Sequence, residues 1–155
     1  MEPEIKGYLT EFNILRRDIQ NSLKGLSDEG ANWHPLPEAT NSIYAILTHI
    51  IGADQFWIHQ VIEGKKIQRD RAAEFRASGN LGELLARWDK HWTIIESSLG
   101  TLSHLQLSET RAVPFRPEPE EPVTLQWIIL HLISHYAVHL GHIQLTRQLW
   151  DRRGH

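Results

Sequence analysis

The stretch TLQWIILHLISHYAVHLGHIQLTRQL, residues 124–149, decides the fold of this chain. Its apolar side chains recur at spacings of three and four, which is the period of an α-helix with one buried face. They include Ile128, Leu132, Tyr136 and Ile143. Thr124 is a residue type that caps the first turn of a helix. The stretch therefore predicts one long amphipathic helix that begins directly after Thr124.

Three further segments of about 20 residues have the same helical period. They are residues 4–24, 43–64 and 81–100. Segments 65–80 and 103–123 contain charged residues, glycine and proline, and predict long connections. No strand-like alternation of comparable length occurs. The pattern predicts an all-α fold in which four helices form a bundle with long crossover linkers, as a single domain over residues 1–155.

The composition narrows the classes of function. A formal charge of −3 provides no broad basic surface for nucleic acid, so we expect no nucleic-acid partner. The chain has no cysteine, so any metal ion must be held by nitrogen or oxygen ligands. Neither an apolar leader nor an apolar stretch of about 18 residues is present. We therefore expect a cytoplasmic protein that does not bind membranes.

The distribution of the ten histidines carries the main functional signal. On the last predicted helix, His131, His135, His139 and His142 follow one another at spacings of four, four and three, which aligns them along one side. The helical wheel directs His135 and His139 toward the apolar interior. A second wheel places His49 on the apolar side of the second helix. Three imidazoles from two helices are thus directed at one core.

Three buried imidazoles need a shared partner, because an unpaired buried nitrogen costs about 1–3 kcal/mol. Two histidines four residues apart can bind one ion together with a third histidine from a facing helix. We therefore predict that His49, His135 and His139 hold one divalent metal ion. His131, Tyr136 and His142 are candidates for orienting a ligand or moving a proton. A single apolar-face histidine is more often a hydrogen-bonded core residue, which remains the alternative interpretation.

The other aromatic and imidazole side chains receive structural interpretations. We expect the helical tryptophans to fill the core, with one or two able to wall a pocket; these are Trp57, Trp88, Trp92 and Trp127. The remaining histidines are expected on the surface or in loops; these are His34, His59, His91, His104 and His155. The two long connections, 65–80 and 103–123, are expected to border the mouth of the pocket.

Two motifs resemble those of the DinB-like (YfiT-like) superfamily. They are Asn41-Ser42-Ile43 leading to Leu47-Thr48-His49, and the segment His135-Tyr-Ala-Val-His139-Leu-Gly141-His-Ile143-Gln144. The resemblance covers nearly the whole chain. It implies a four-helix bundle in which His49, His135 and His139 bind zinc, nickel or a similar divalent ion such as manganese or iron. It also implies a homodimer and, as in some relatives, a low-molecular-weight thiol as cosubstrate.

These observations favour a metal-dependent enzyme that acts on a small-molecule substrate. A site of three imidazoles leaves a coordination position at which water or a thiol loses its proton near neutral pH. Thiol S-transfer and hydrolysis are both compatible with such a site. Two other possibilities stay open: a non-catalytic bundle stabilised by an ion or a small molecule, and a dimeric interaction module with metal-free core histidines.

Overall fold

The computed structural model describes residues 1–114 and 121–153, which form the following elements. The α-helices are α1 (Pro3–Leu23), α2 (Asp28–Ala31), α3 (Ile43–Asp54), α4 (Arg71–Glu74), α5 (Leu81–Gly100) and α6 (Leu125–Arg152). A π-helix, Gln55–Ile62, continues α3, and a 3₁₀ helix spans His104–Ser108. The short strands β1 (Thr110–Arg111) and β2 (Val123–Thr124) pair antiparallel, with Thr110 opposite Thr124.

The four long helical segments form the bundle, which confirms the all-α fold with long crossover linkers. Helix α1 packs against α5 and α6, and α3 packs against the same two helices. The first two long helices, α1 and α3, therefore lie diagonally across the bundle, as do α5 and α6. Because no short turn can join diagonal neighbours, this arrangement accounts for the long connections between them.

Side-chain caps fix where three of the long helices begin. The hydroxyls of Ser42 and Thr124 accept hydrogen bonds from the backbone N–H groups of Ala45 and Trp127, three residues further on. The Asn80 side chain caps α5 in the same way. Gly64 follows the π-helix with a φ of 68°, a conformation that glycine adopts without steric cost. The predicted helices 43–64 and 81–100 are thus bounded by local sequence signals.

The core is built from apolar and aromatic side chains of all four long helices. The ring of Phe12 on α1 packs against Trp92 of α5 and edge-on against Tyr136 of α6, with centroid distances of 5.4 and 5.5 Å. Trp57, Trp88 and Trp92 are buried as expected. The expectation that Trp127 fills the core was wrong. Its side chain is 40% exposed and stacks on the ring of His131, one turn later on α6.

The expectation that His91 lies on the surface or in a loop was also wrong. His91 is buried on α5, one turn from Trp88 and beside Trp92 on the same face. Burial, together with the neighbouring His59, Arg16 and Arg87, lowers the pKa of His91 to about 4. His155 lies outside the described residues. None of the described helices is both long enough and apolar enough to cross a lipid bilayer.

Candidate metal centre

Three imidazoles from α3 and α6 meet at one point between these helices. His135 Nε2 lies 3.0 Å from His49 Nε2 and 3.1 Å from His139 Nε2. One ligand atom from each of the three residues falls within 4.8 Å of the others. The structure thus brings together the three histidines that the sequence singled out, although His49 and His135 are 86 positions apart.

Glu74, which no sequence pattern indicated, orients His49. Its Oε2 atom lies 2.8 Å from His49 Nδ1, and both groups are buried. Arg69 donates to the two carboxylate oxygens of Glu74 at distances of 2.6 and 2.9 Å. Burial raises the pKa of Glu74, but the hydrogen bonds from His49 and Arg69 outweigh it, so the pKa falls below its usual value. An ionised Glu74 therefore keeps the proton of His49 on Nδ1 and leaves Nε2 as a lone pair.

The three imidazoles cannot satisfy one another's hydrogen-bonding groups without a further partner. A neutral imidazole carries one N–H, and the Nε2 of His49 has none because Glu74 holds the proton on the opposite nitrogen. The Nε2 of His135 faces two neighbours and has at most one proton to share between them. Its buried Nδ1 has no hydrogen-bond partner among the described residues. A cation placed among three Nε2 lone pairs resolves this arrangement.

The nitrogen separations fit a divalent ion. Zn–N bonds of about 2.0–2.1 Å in a tetrahedral site place two nitrogen ligands about 3.3 Å apart. Two of the observed separations, 3.0 and 3.1 Å, are close to that value, and the three ligand atoms all lie within 4.8 Å of one another. Three neutral nitrogen ligands leave one position of a tetrahedral ion for water or another ligand, which is the pattern of catalytic rather than structural zinc sites. The residues present therefore suit a divalent ion.

The local electrostatics keep His135 and His139 unprotonated. Burial, together with the neighbouring His139 and His49, lowers the pKa of His135 to about 3. Burial, together with the neighbouring His49 and His142, lowers the pKa of His139 to about 4. Both imidazoles are therefore neutral at physiological pH. Protons then compete little with a metal ion for Nε2.

The three histidines open into a groove of about 1010 Å³. Its floor consists of His49, His135, His139 and His142. Phe75, from the connection after α4, packs against the His49 ring at a centroid distance of 4.5 Å. The far wall is formed by residues 33–41 and by the last turns of α6. The groove therefore gives a small molecule direct access to the candidate metal ligands.

The three residues that were expected to orient a ligand or move a proton lie in different surroundings. His142 lines the groove, and its Nδ1 lies 3.3 Å from His139 Nδ1. His131 packs between the rings of Trp57 and Trp127, one turn before His135. Tyr136 does not reach the groove: it is fully buried, and its hydroxyl donates to Asp54 at 2.5 Å. The proposed ligand-orienting role for Tyr136 is thus corrected, because its phenol is on the core face of α6.

One of the two connections expected at the groove mouth lies elsewhere. Arg71 and Phe75, from segment 65–80, do line the groove. From segment 103–123, the described residues Gln106 and Arg111 line a separate cavity of about 380 Å³ instead. That expectation was therefore wrong for the described part of 103–123. Residues 115–120 of this connection lie outside the described part of the chain.

Solved structures with the same fold include proteins from three bacteria. A DinB-like protein from Bacillus cereus has 17% sequence identity and a TM-score of 0.73, over 92% of this chain and 90% of that one. A conserved protein from Enterococcus faecalis has 17% identity and a TM-score of 0.71, over 97% and 98%. A protein from Streptococcus pneumoniae has 11% identity and a TM-score of 0.69, over 97% and 92%. These similarities establish the DinB-like fold.

A comparison with curated proteins found no match to this chain. The family model for mycothiol-S-transferase matches residues 6–152, which include every helix of the bundle and the three converging histidines. That match agrees with the DinB-like fold and with a histidine site that is able to hold a metal ion. On this evidence the chain belongs to the mycothiol-S-transferase family.

Proposed function

We propose that this protein is a metal-dependent transferase that joins a low-molecular-weight thiol to a small electrophilic substrate. The observation that carries the proposal is the convergence of three Nε2 atoms on the floor of an open groove. The family match supports a thiol of the mycothiol type as the nucleophile. Since the chain has no cysteine, the sulfur must be supplied by a cosubstrate.

In this proposal each residue of the candidate site has a separate role. His49, His135 and His139 hold a divalent ion, of which zinc and nickel are the first candidates and manganese and iron the next. A bound ion of this kind supplies the positive charge that lets a thiol lose its proton at neutral pH. Glu74 holds the proton of His49 on Nδ1. His139 Nδ1 donates a hydrogen bond to His142 Nδ1, so that His49 and His139 each present an unprotonated Nε2.

Hydrolysis is the second reaction within this proposal. The same open position that accepts a thiol accepts water, whose pKa falls to near 7 at catalytic zinc sites. The two reactions are separated by adding the thiol: transfer requires it, whereas hydrolysis proceeds without it. The proposal also includes that the protein is a cytoplasmic homodimer, as the family resemblance implies.

The decisive experiment combines metal analysis with an activity assay. Elemental analysis of untagged protein should find about one divalent ion per chain, and folded His49→Ala and His139→Ala variants should lack it. His104→Ala is the matched control, because that imidazole is exposed and lies next to Glu2, away from the groove. Thermal unfolding with added zinc, nickel or manganese should raise Tm in the parent and not in the two ligand variants.

Each outcome has a defined meaning. Thiol-dependent consumption of an electrophile by the parent, lost in His139→Ala, supports the transferase. Consumption without thiol supports the hydrolase. A parent that binds no ion after incubation with zinc, nickel and manganese contradicts both reactions and favours a helical interaction module. Metal that stays bound without any turnover favours the non-catalytic bundle.

A further inference from the structure

The walls of the groove are unusually apolar for a surface feature. Leu36, Leu145 and Leu149 all line it, and they are 60%, 57% and 44% exposed. Exposed apolar side chains that cluster in one concave region usually mark a binding site, whereas single scattered ones do not. The groove is therefore suited to a ligand that has a substantial apolar body.

The charged residues of the groove all have the same sign. Arg71, Arg152 and Arg153 line it, and no aspartate or glutamate is among its described lining residues. This is not the balance of the whole chain, in which 19 acidic residues exceed 16 Lys and Arg. Neither Arg71 nor Arg152 forms an ion pair with a described carboxylate, whereas nearby Arg147 pairs with Asp151. The groove thus has a positive rim.

The position of Arg71 relates this rim to the candidate metal ligands. Its guanidinium carbon lies 5.2 Å from the centre of the Phe75 ring, and that ring lies 4.5 Å from the His49 ring. The guanidinium is therefore no further from the His49 imidazole than the sum of these two distances. A molecule of ordinary substrate size can contact the rim and the metal ligands at once.

We propose that the groove binds an amphipathic organic anion, with its apolar body against the exposed leucines and its carboxylate, sulfonate or phosphate on Arg71 and Arg152. The assignment names a substrate class: an electrophile that carries a negative group remote from its reacting carbon. Its catalytic meaning rests on the proposed function, but anion binding itself does not require a metal ion. The two ideas can therefore fail separately.

Two fluorescent probes that differ in charge test the proposal. Anilinonaphthalene sulfonate combines an apolar ring system with an anionic sulfonate. N-phenylnaphthylamine has the same ring system without the charge. The purified protein should bind one anionic probe per chain, with an affinity that falls as salt is added. The double variant Arg71→Gln/Arg152→Gln should bind the anionic probe roughly tenfold more weakly than the parent. Its affinity for the neutral probe should change less than about twofold.

Matched variants locate the effect. Arg17→Gln/Arg87→Gln removes the same charge from exposed positions outside the groove and should leave both affinities unchanged. Leu149→Ser should weaken the binding of both probes. An unchanged affinity of the groove variant for the anionic probe, or an equal loss in the control pair, overturns the proposal. Probe binding that persists in His139→Ala separates the anion site from the metal centre.

Discussion

Glu74 Oε2 lies 2.8 Å from His49 Nδ1, and this contact links the connection between α3 and α5 to the candidate metal centre. A carboxylate behind a ligating imidazole fixes its tautomer and its ring orientation, and loss of such a partner typically lowers metal affinity about 10- to 100-fold. We expect Glu74→Gln to weaken divalent-ion binding within that range while the protein stays folded. Competition with a chromophoric chelator measures the affinity.

Glu63→Gln is the matched control for this prediction. Glu63 makes a similar contact with another histidine, His59 Nδ1, at 2.7 Å, but neither residue lines the groove. The control should therefore bind metal as the parent does. Equal affinities of the parent and of Glu74→Gln would show that the carboxylate does not act on the metal centre.

Gly52→Ala should disturb the same carboxylate by direct overlap. A methyl group at Gly52 would overlap Glu74, which cannot move away freely because Arg69 holds both of its oxygens. We expect a loss of metal affinity similar to that of Glu74→Gln and a destabilisation of about 1–3 kcal/mol from overpacking. Chelator competition and urea unfolding measure the two effects.

Gly7→Ala is the control for the glycine substitution. It is also a helical glycine, but a methyl group there would meet no atom within 4 Å. Alanine should stabilise that helix or leave it unchanged, since it is the better helix former. Unchanged metal affinity and stability in Gly52→Ala would contradict the close approach of Glu74.

Asp54 should make stability depend on pH. Burial raises its pKa to about 7, although the hydrogen bond from Tyr136 opposes this shift. The folded protein then holds a proton that the unfolded chain releases near its usual pKa of about 4. The resulting stabilisation is present below about pH 4 and is lost as pH rises toward about 7. We expect a decline on the order of 1 kcal/mol per pH unit within this window.

Asp54→Asn should remove that decline, because an amide does not titrate. Urea unfolding of the parent and the variant at several pH values gives the difference in free energy as a function of pH. Asp18→Asn, at an exposed pair with Arg17, should leave the slope as it is in the parent. A slope that survives in Asp54→Asn would assign the pH dependence to other groups.

Thr124→Ala should weaken the start of the helix that carries His135 and His139. The hydroxyl of Thr124 accepts a hydrogen bond from Trp127 N–H at 3.1 Å, and loss of an N-cap costs about 1 kcal/mol. Chemical unfolding should record this loss, with metal affinity of the folded protein unchanged. Thr93→Ala, within α5 and exposed, is the control and should have a smaller effect.

The helices and the three histidines could be predicted because both depend on a local period. His49, His135 and His139 each lie on the apolar side of a helical wheel, and packing of α3 against α6 brings those sides together. His91 obeys the same rule, three residues after Trp88 and four before Ile95, so the wheel of α5 contained the information that it is buried.

Glu74 could not be found in this way. It lies in a charged connection in which most residues are exposed, and no periodicity relates it to His49, 25 positions earlier. Its burial depends on Arg69 and on the space left by Gly52, which are properties of the folded chain. The groove wall at residues 33–41 was missed for a similar reason, because a loop carries no period that predicts its neighbours.

The diagonal placement of α1 and α3 has a consequence for the order in which the chain acquires structure during synthesis. The first two long helices to leave the ribosome are not each other's packing partners, since each packs against α5 and α6. Their apolar faces must wait for the second half of the chain, which makes the nascent protein rich in exposed apolar surface. His49 meets His135 and His139 only after α6 is complete. Assembly of the three-histidine cluster is therefore a late event, and a chain that ends before His135 lacks two of its three imidazoles.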